Sequence, residues 1–279
     1  MYKKIGVLIF LVFATVINMY AQNNLEIKGN ITFSTAPSSA NLNSFTFSPL
    51  VEIGYKLHDE YYFAIKFGAT YTKLERLGYN TESRTDLSNP IVIVGYLDNK
   101  VTKFSTIDML LNLGIPLATF PGNISKNRLS EFNYNNANNM YGWKESLSWF
   151  MNVVPISFTL VNKNEISEKL GIHILINPIY MISINSRPDR QAINANLNIY
   201  YKLNDISFNI GTNYFYSVQS IENDDKDKNI IYIGNSVKLE DYTLGAEINL
   251  NLNSPKGAFT KNKIYYYGIM LKINKNLNL

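Results

Sequence analysis

The sequence predicts an all-β protein, an antiparallel up-and-down transmembrane β-barrel of about twelve strands, with about ten as the alternative count. Three observations carry this. Apolar and polar residues alternate with period two over long stretches, enough for the ~9–11 residues of a tilted bilayer crossing. The connections alternate between tight turns (58–60, 162–168, 204–205) and long polar loops (75–90, 119–146, 219–229), as in a barrel whose two ends face different compartments. Aromatic residues such as Phe45, Tyr55, Tyr61, Tyr71, Tyr201, Tyr214, Tyr216, Tyr242 and Tyr265 gather near strand ends, where bilayer interfaces favour them. A secreted β-sandwich also alternates, but its strands run nearer about six residues.

In chain order, Lys3 and Lys4, the apolar run Ile5–Ile17 and Met19-Tyr20-Ala21 read as a secretory signal peptide over residues 1–21. An uncleaved anchor is the alternative, and residues 22–279 form the barrel. Leu25, Ile27, Ile31 and Phe33 open a first strand. In 45–71, Phe45, Phe47, Val51, Ile53, Tyr55, Phe63, Ile65 and Phe67 share one face, and His58-Asp59-Glu60 makes the turn. Pairing Leu57 with Tyr61 puts Ile53 against Ile65, Val51 against Phe67 and Glu52 against Lys66, a cross-strand charge pair. Residues 75–90 read as an exposed loop, Ile91–Tyr96 as a short apolar run, and Ser105–Leu117 as a strand. Residues 119–146 form the longest irregular segment. Strands follow at 149–161 and 170–183, then a hairpin about Asn204-Asp205 pairing Leu203 with Ile206, Tyr201 with Phe208 and Ile199 with Ile210. Two last strands centre on Tyr242–Leu250 and Tyr265–Ile273, and no segment of helical period competes. The tight turns share one end of the barrel, so an even number of crossings lies between strands 61–74 and 192–203, and beside the three clear ones a fourth is needed, either 91–97 or part of 122–134. The total is then eleven where such barrels have an even number, so one element is miscounted and Ile230–Ile233 reads as the inner end of a missed strand.

Composition narrows function. No cysteine is present, which removes disulfides, thiol nucleophiles and cysteine metal sites. Loss of residues 1–21 takes away Lys3 and Lys4 and no acid, lowering the net charge from +4 to +2, too weak for nucleic acid. No cofactor is implied, and catalysis is not expected.

On this architecture the chain resembles the Gram-negative outer-membrane β-barrel proteins of the small, porin-like kind, over nearly all of 22–279. The resemblance implies residence in the outer membrane, contact with its lipid, insertion by the barrel-assembly machinery, and passage of small hydrophilic solutes. One departure is the C-terminus, Asn276-Leu277-Asn278-Leu279, where many such barrels end in an aromatic residue.

The inward face carries Glu52, Lys56, Lys66, Asp108, His173, Lys202, Glu247 and Lys272, which either set ion preference in an open lumen or pair across a filled one. If the 162–168 turn centres on Glu165, Ser157 falls opposite His173. A serine–histidine pair resembles the outer-membrane phospholipases and lipid deacylases, but Leu175 stands where their His-x-Ser spacing needs serine, so a lumen histidine is favoured. Glu222, Asp224, Asp225 and Asp227 lack the glycine and terminal glutamate of an organised calcium loop. Phe132, Tyr134, Tyr141 and Trp143 could stack on sugars or fold inward as a constriction, though an ordinary structured loop is the simpler reading. Three functions follow: a passive pore or small transporter, a non-conducting barrel for adhesion or a secretion partner, and a lipid-modifying enzyme.

Overall fold

The computed structural model describes residues 25–39, 42–57, 60–76, 81–118, 124–184, 188–218, 227–252 and 267–277. The expected signal segment 1–21, His58 and the acidic residues Glu222, Asp224 and Asp225 lie outside them.

Among the described residues thirteen strands are present: β1 (Leu25–Ser39), β2 (Leu42–Leu57), β3 (Tyr61–Arg76), β4 (Glu82–Leu87), β5 (Ile91–Thr102), β6 (Ser105–Gly114), β7 (Val153–Glu165), β8 (Leu170–Ser183), β9 (Arg190–Leu203), β10 (Ile206–Ser217), β11 (Asp227–Leu239), β12 (Tyr242–Asn251) and β13 (Tyr267–Leu277). Except for β4 and β5, which both pair with β3 and not with each other, sequence neighbours pair antiparallel, and β1 pairs with β13 from Leu25↔Leu277 to Phe33↔Ile269, closing the ring. Strands β4 and β5 lie on the same side of β3, against Ala69–Leu74 and Tyr61–Lys66 respectively. They are one crossing broken at Ser88-Asn89-Pro90, so the barrel has twelve staves. Proline supplies no ladder donor, which marks the break.

The two hairpin registers are those expected, including Glu52↔Lys66 and Ile199↔Ile210. The 230–233 fragment belongs to β11. Two expectations are corrected. Residues 75–90 are not one loop, because β3 runs to Arg76 and β4 covers 82–87. Thr85 and Ser83 face outward there without apolar side chains, so the strand carries no alternation signal. The irregular segment also holds a helix, α1 (Ile124–Met140), and a 3-10 turn, Ser146–Trp149.

Alternation sorts the wall. Outward residues such as Phe67, Leu111, Phe158, Ile176, Ile199 and Ile233 are large, apolar and exposed all round the ring. That belt suits hydrocarbon, which in turn requires the sheet to close, since lipid cannot satisfy a free strand edge. Tyr61, Tyr201, Tyr242 and Phe104 stand exposed at the end carrying the turns 103–104, 204–205 and 240–241, and Phe45, Tyr180 and Tyr214 at the other. Both ends therefore carry an aromatic girdle. Inward residues are polar or small, among them Thr46, Ser48, Glu52, Thr70, Asp108, Asn112, Asn177, Asn194, Asn213 and Glu247. The run Ile91–Tyr96 is apolar on both faces because Ile91 and Ile93 pack inward with Tyr62, Ala64 and Leu147.

Replacing Ile176, 45% exposed on the belt near the middle of β8, by arginine puts a cation in the hydrocarbon. The Ile176→Arg variant is expected to lose about 2–4 kcal/mol of unfolding free energy in lipid vesicles, measured by denaturant titration.

Candidate functional site

The site is the lumen and what fills it. Between β6 and β7 the chain leaves the wall and folds into the barrel as a plug, made of α1, the turns 141–145 and the 3-10 turn. Six of the seventeen residues of α1 are asparagine, a poor helix former whose amide competes with the helical backbone. Here three of those amides bond to the wall. Asn133 donates to the carbonyls of Thr70 and Arg84 and to Asp86, and accepts from Thr72; Asn136 donates to Thr46. Asn139 accepts from Asn251 of β12 and from the indole of Trp143.

Gly142 ends the helix. Its φ of +59°, followed by +60° at Trp143, reverses the chain, with Gly142 N–H donating to Asn139 O and Trp143 N–H to Asn138 O. The reversal turns main-chain carbonyls toward the far wall. Asn249 donates to Met140 O, Asn213 to Gly142 O and Asn194 to Trp143 O. On β13, Gly268 leaves space for the plug, since a Cβ there would stand 2.6 Å from Met140 O.

Adjacent opposite charges then clamp the plug across the bore. Lys144 Nζ lies 2.5 Å from Glu247 on β12, whose other oxygen meets Lys272 at 2.7 Å. Glu145 lies 2.9 Å from Lys66 on β3, which also holds Glu52 at 2.9 Å. Glu52 further meets Lys28 and accepts from the Tyr62 hydroxyl at 2.7 Å. Tyr141 donates to the carbonyls of Ser48 and Asn30, and its ring stacks on Trp149 with centroids 5.9 Å apart. Leu50, Ala118, Tyr134, Ala137, Tyr141, Trp149 and Met270 form one buried cluster; Trp143 joins another with Phe215 and Ile230.

Asn89 ties the plug at both ends. Fully buried in the break between β4 and β5, its side-chain oxygen accepts from Leu117 N–H and Ala118 N–H, where the chain leaves the wall. Its amide donates to Phe150 O at 2.6 Å and to Leu147 O, where the chain returns, and its own N–H donates to Ser148 O. Nothing in the sequence singled it out, because one asparagine before a proline reads as a turn.

On the turn side of the plug the lumen stays hollow. A cavity of about 470 Å³ is lined by Glu52, Lys56, Lys66 and Asp108, with Lys144 and Glu145 of the plug. A second of about 780 Å³ opens toward the turns, lined by His173, Lys202, Glu247 and Lys272. Asp108 and Asp98 both pair with Lys163, at 2.8 Å each. The expected apposition of Ser157 and His173 is corrected. The β7–β8 turn centres on Glu168, not Glu165, so Ser157 pairs with Ile179 and His173 with Lys163. Ser157 instead accepts from Asn112, and the His173 ring packs on Tyr200 with centroids 4.8 Å apart. Tyr134, Tyr141 and Trp143 turn inward rather than out to solvent. The side chain of Phe132 lies outside the described residues, and Asp227 sits in β11 accepting from the Tyr214 hydroxyl.

No protein-family model matches the sequence, and no curated protein matches it either. Solved structures do. An outer membrane channel from Pseudomonas putida F1 superposes with a TM-score of 0.61 at 12% identity, over 92% of this chain and 96% of that one. The transport unit of the autotransporter AIDA-I from Escherichia coli gives 0.52 at 8% identity, over 92% of each chain. The β-domain of the Bordetella autotransporter BrkA gives 0.50 at 9%, over 91% of this chain and all of that one. The shared fold is that of Gram-negative outer-membrane β-barrels, the class and setting in which alternation and loop asymmetry placed this chain.

Both tryptophans of the protein, Trp143 and Trp149, sit in the plug, so intrinsic fluorescence reports its docking. The Asn89→Ala change orphans buried amide groups at about 1–3 kcal/mol for each one left unsatisfied. It is expected to red-shift tryptophan emission at a lower denaturant concentration than in the parent, while β-sheet circular dichroism is retained. Burial lowers the Lys144 pKa to about 8, with Glu247 opposing the shift. An undocked Lys144 regains the ordinary lysine value, so above pH 8 the docked state holds fewer protons and is favoured as pH rises. The denaturant midpoint of the tryptophan signal is expected to rise between pH 8 and about 9.5, and to stay level in Lys144→Met.

Proposed function

We propose that the protein is a channel for small hydrophilic solutes, shut at its loop end by the internal plug. The observation that supports this most is a hollow, polar lumen entered from the turn end and stopped by a segment outside the strand ladder. Because the plug is a β6–β7 connection, moving it breaks side-chain bonds and the backbone bond from Asn89 N–H to Ser148 O, but no strand-to-strand ladder pair. The likeness to a solved outer-membrane channel and to autotransporter transport units favours a transport role over catalysis. Outer-membrane lipid and the barrel-assembly machinery are the partners this reading requires.

The buried cluster around Trp149 and Tyr141 favours a second reading, a permanently filled barrel that acts through its loops. Planar-bilayer recording separates the two. The parent is expected to be silent or to open briefly, and a variant with 119–149 replaced by a short Gly/Ser linker to give stable conductance steps. A folded, heat-modifiable deletion variant that stays silent would sink the channel reading.

A further inference from the structure

The hollow half of the lumen changes its electrical character along the axis. Five lysines and five carboxylates line the cavity against the plug. Six lysines and three carboxylates line the one toward the turns. Within the latter, Lys163 faces both Asp98 and Asp108, and Glu247 faces both Lys144 and Lys272, so these two clusters offset each other. Lys100, Lys103 and Lys202 are left, with Glu165 as the one carboxylate beside them in the lining. Among the described residues none of the three lysines has an ion-pair partner.

A motif repeated in the wall shows what is missing. Three inward tyrosines lie over a glycine of the neighbouring strand where no Cβ would fit, Tyr62 over Gly54, Tyr232 over Gly211 and Tyr200 over Gly171. Each carries a lysine ammonium on its ring face: Lys28 at 5.1 Å, Lys144 at 3.2 Å and Lys202 at 5.1 Å from the centroid. Lys28 and Lys144 each also hold a carboxylate, Glu52 and Glu247. Lys202, positioned the same way, holds none among the described residues and faces the open cavity. The amides of Asn198, Asn209 and Asn235 line the same cavity and offer neutral donors.

We propose that the turn-side cavity collects small anions bearing carboxylate or phosphate groups, with Lys202, Lys100 and Lys103 supplying the charge. This deepens the channel reading and rests on it for physiological meaning, but it is measured separately. A cationic recess with low-dielectric walls concentrates counter-ions by about tenfold or more.

The chain has no cysteine, so one introduced thiol is a unique reporter. Ser207 pairs with Lys202 across the β9–β10 hairpin and lines the cavity. In Ser207→Cys, a sulfonate-bearing methanethiosulfonate is compared with its trimethylammonium counterpart, and the rate ratio is set against that of a free thiol in solution. The ratio is expected to be raised about tenfold. It should fall back to the free-thiol value when Lys100, Lys103 and Lys202 are all changed to glutamine, with tryptophan emission unchanged. A ratio at or below the free-thiol value, a raised ratio that survives the triple change, or a thiol unreactive to both reagents overturns the proposal. A conducting plug deletion beside a neutral ratio leaves the channel standing without anion preference; a silent deletion beside a raised ratio does the reverse.

Discussion

Hydrocarbon offers no hydrogen bond, and that single fact shapes this molecule. Every backbone group at membrane depth must find another strand, so the sheet closes on itself and the outward side chains become an apolar belt. The inward side chains then inherit the polar half of each alternating run. The ladder is interrupted where β6 stops at Gly114 and β4 is separated from β5, and there the chain supplies its own substitute. Asn89 and the two ends of the plug take over hydrogen bonds that a longer β6 would have made.

The plug is accommodated in the same terms. A helix with so many asparagines would be poorly stable alone, and most of its amides would be indifferent between water and each other. Inside the barrel, polar wall residues such as Thr46, Asp86 and Asn251 give them fixed partners. Lys144 and Glu145, adjacent in sequence, reach strands four staves apart because the wall presents Glu247 on β12 and Lys66 on β3. Removing either partner of such a pair leaves a buried charge uncompensated, which is costlier than never having had the pair.

Legibility followed periodicity. The hairpins around 58–60 and 204–205 could be registered residue by residue, because one face of each strand is continuously apolar. Strand β4 was hidden because only Leu87 of its outward residues is apolar, Ser83 and Thr85 being polar, and β11 was legible only as the fragment Ile230–Ile233 because Asn229, Gly234, Asn235 and Ser236 interrupt the run. The helix was hidden because its fixing partners lie on strands remote in sequence. Asn123 before Ile124 and Gly142 after Met140 are start and stop signals that could have bracketed it. The inward charges were visible one by one from alternation. Their pairing with the plug was not, since it depends on how a connecting segment folds. The β7–β8 register was missed because Lys169, in the turn, and Gly171, at the strand start, gave no hint of where the turn centres.

The seam between β1 and β13 joins residues from opposite ends of the polypeptide, Leu25 against Leu277. Contacts of such sequence separation carry the largest loop-closure entropy and form late. The chain must therefore be almost fully available before the cylinder can exist. Until then two long edges lie open and ready to pair with other chains. Loss of the eleven residues of β13, Tyr267–Leu277, would remove a stave and leave that precursor as the end state: an open, aggregation-prone sheet rather than a slightly shorter barrel.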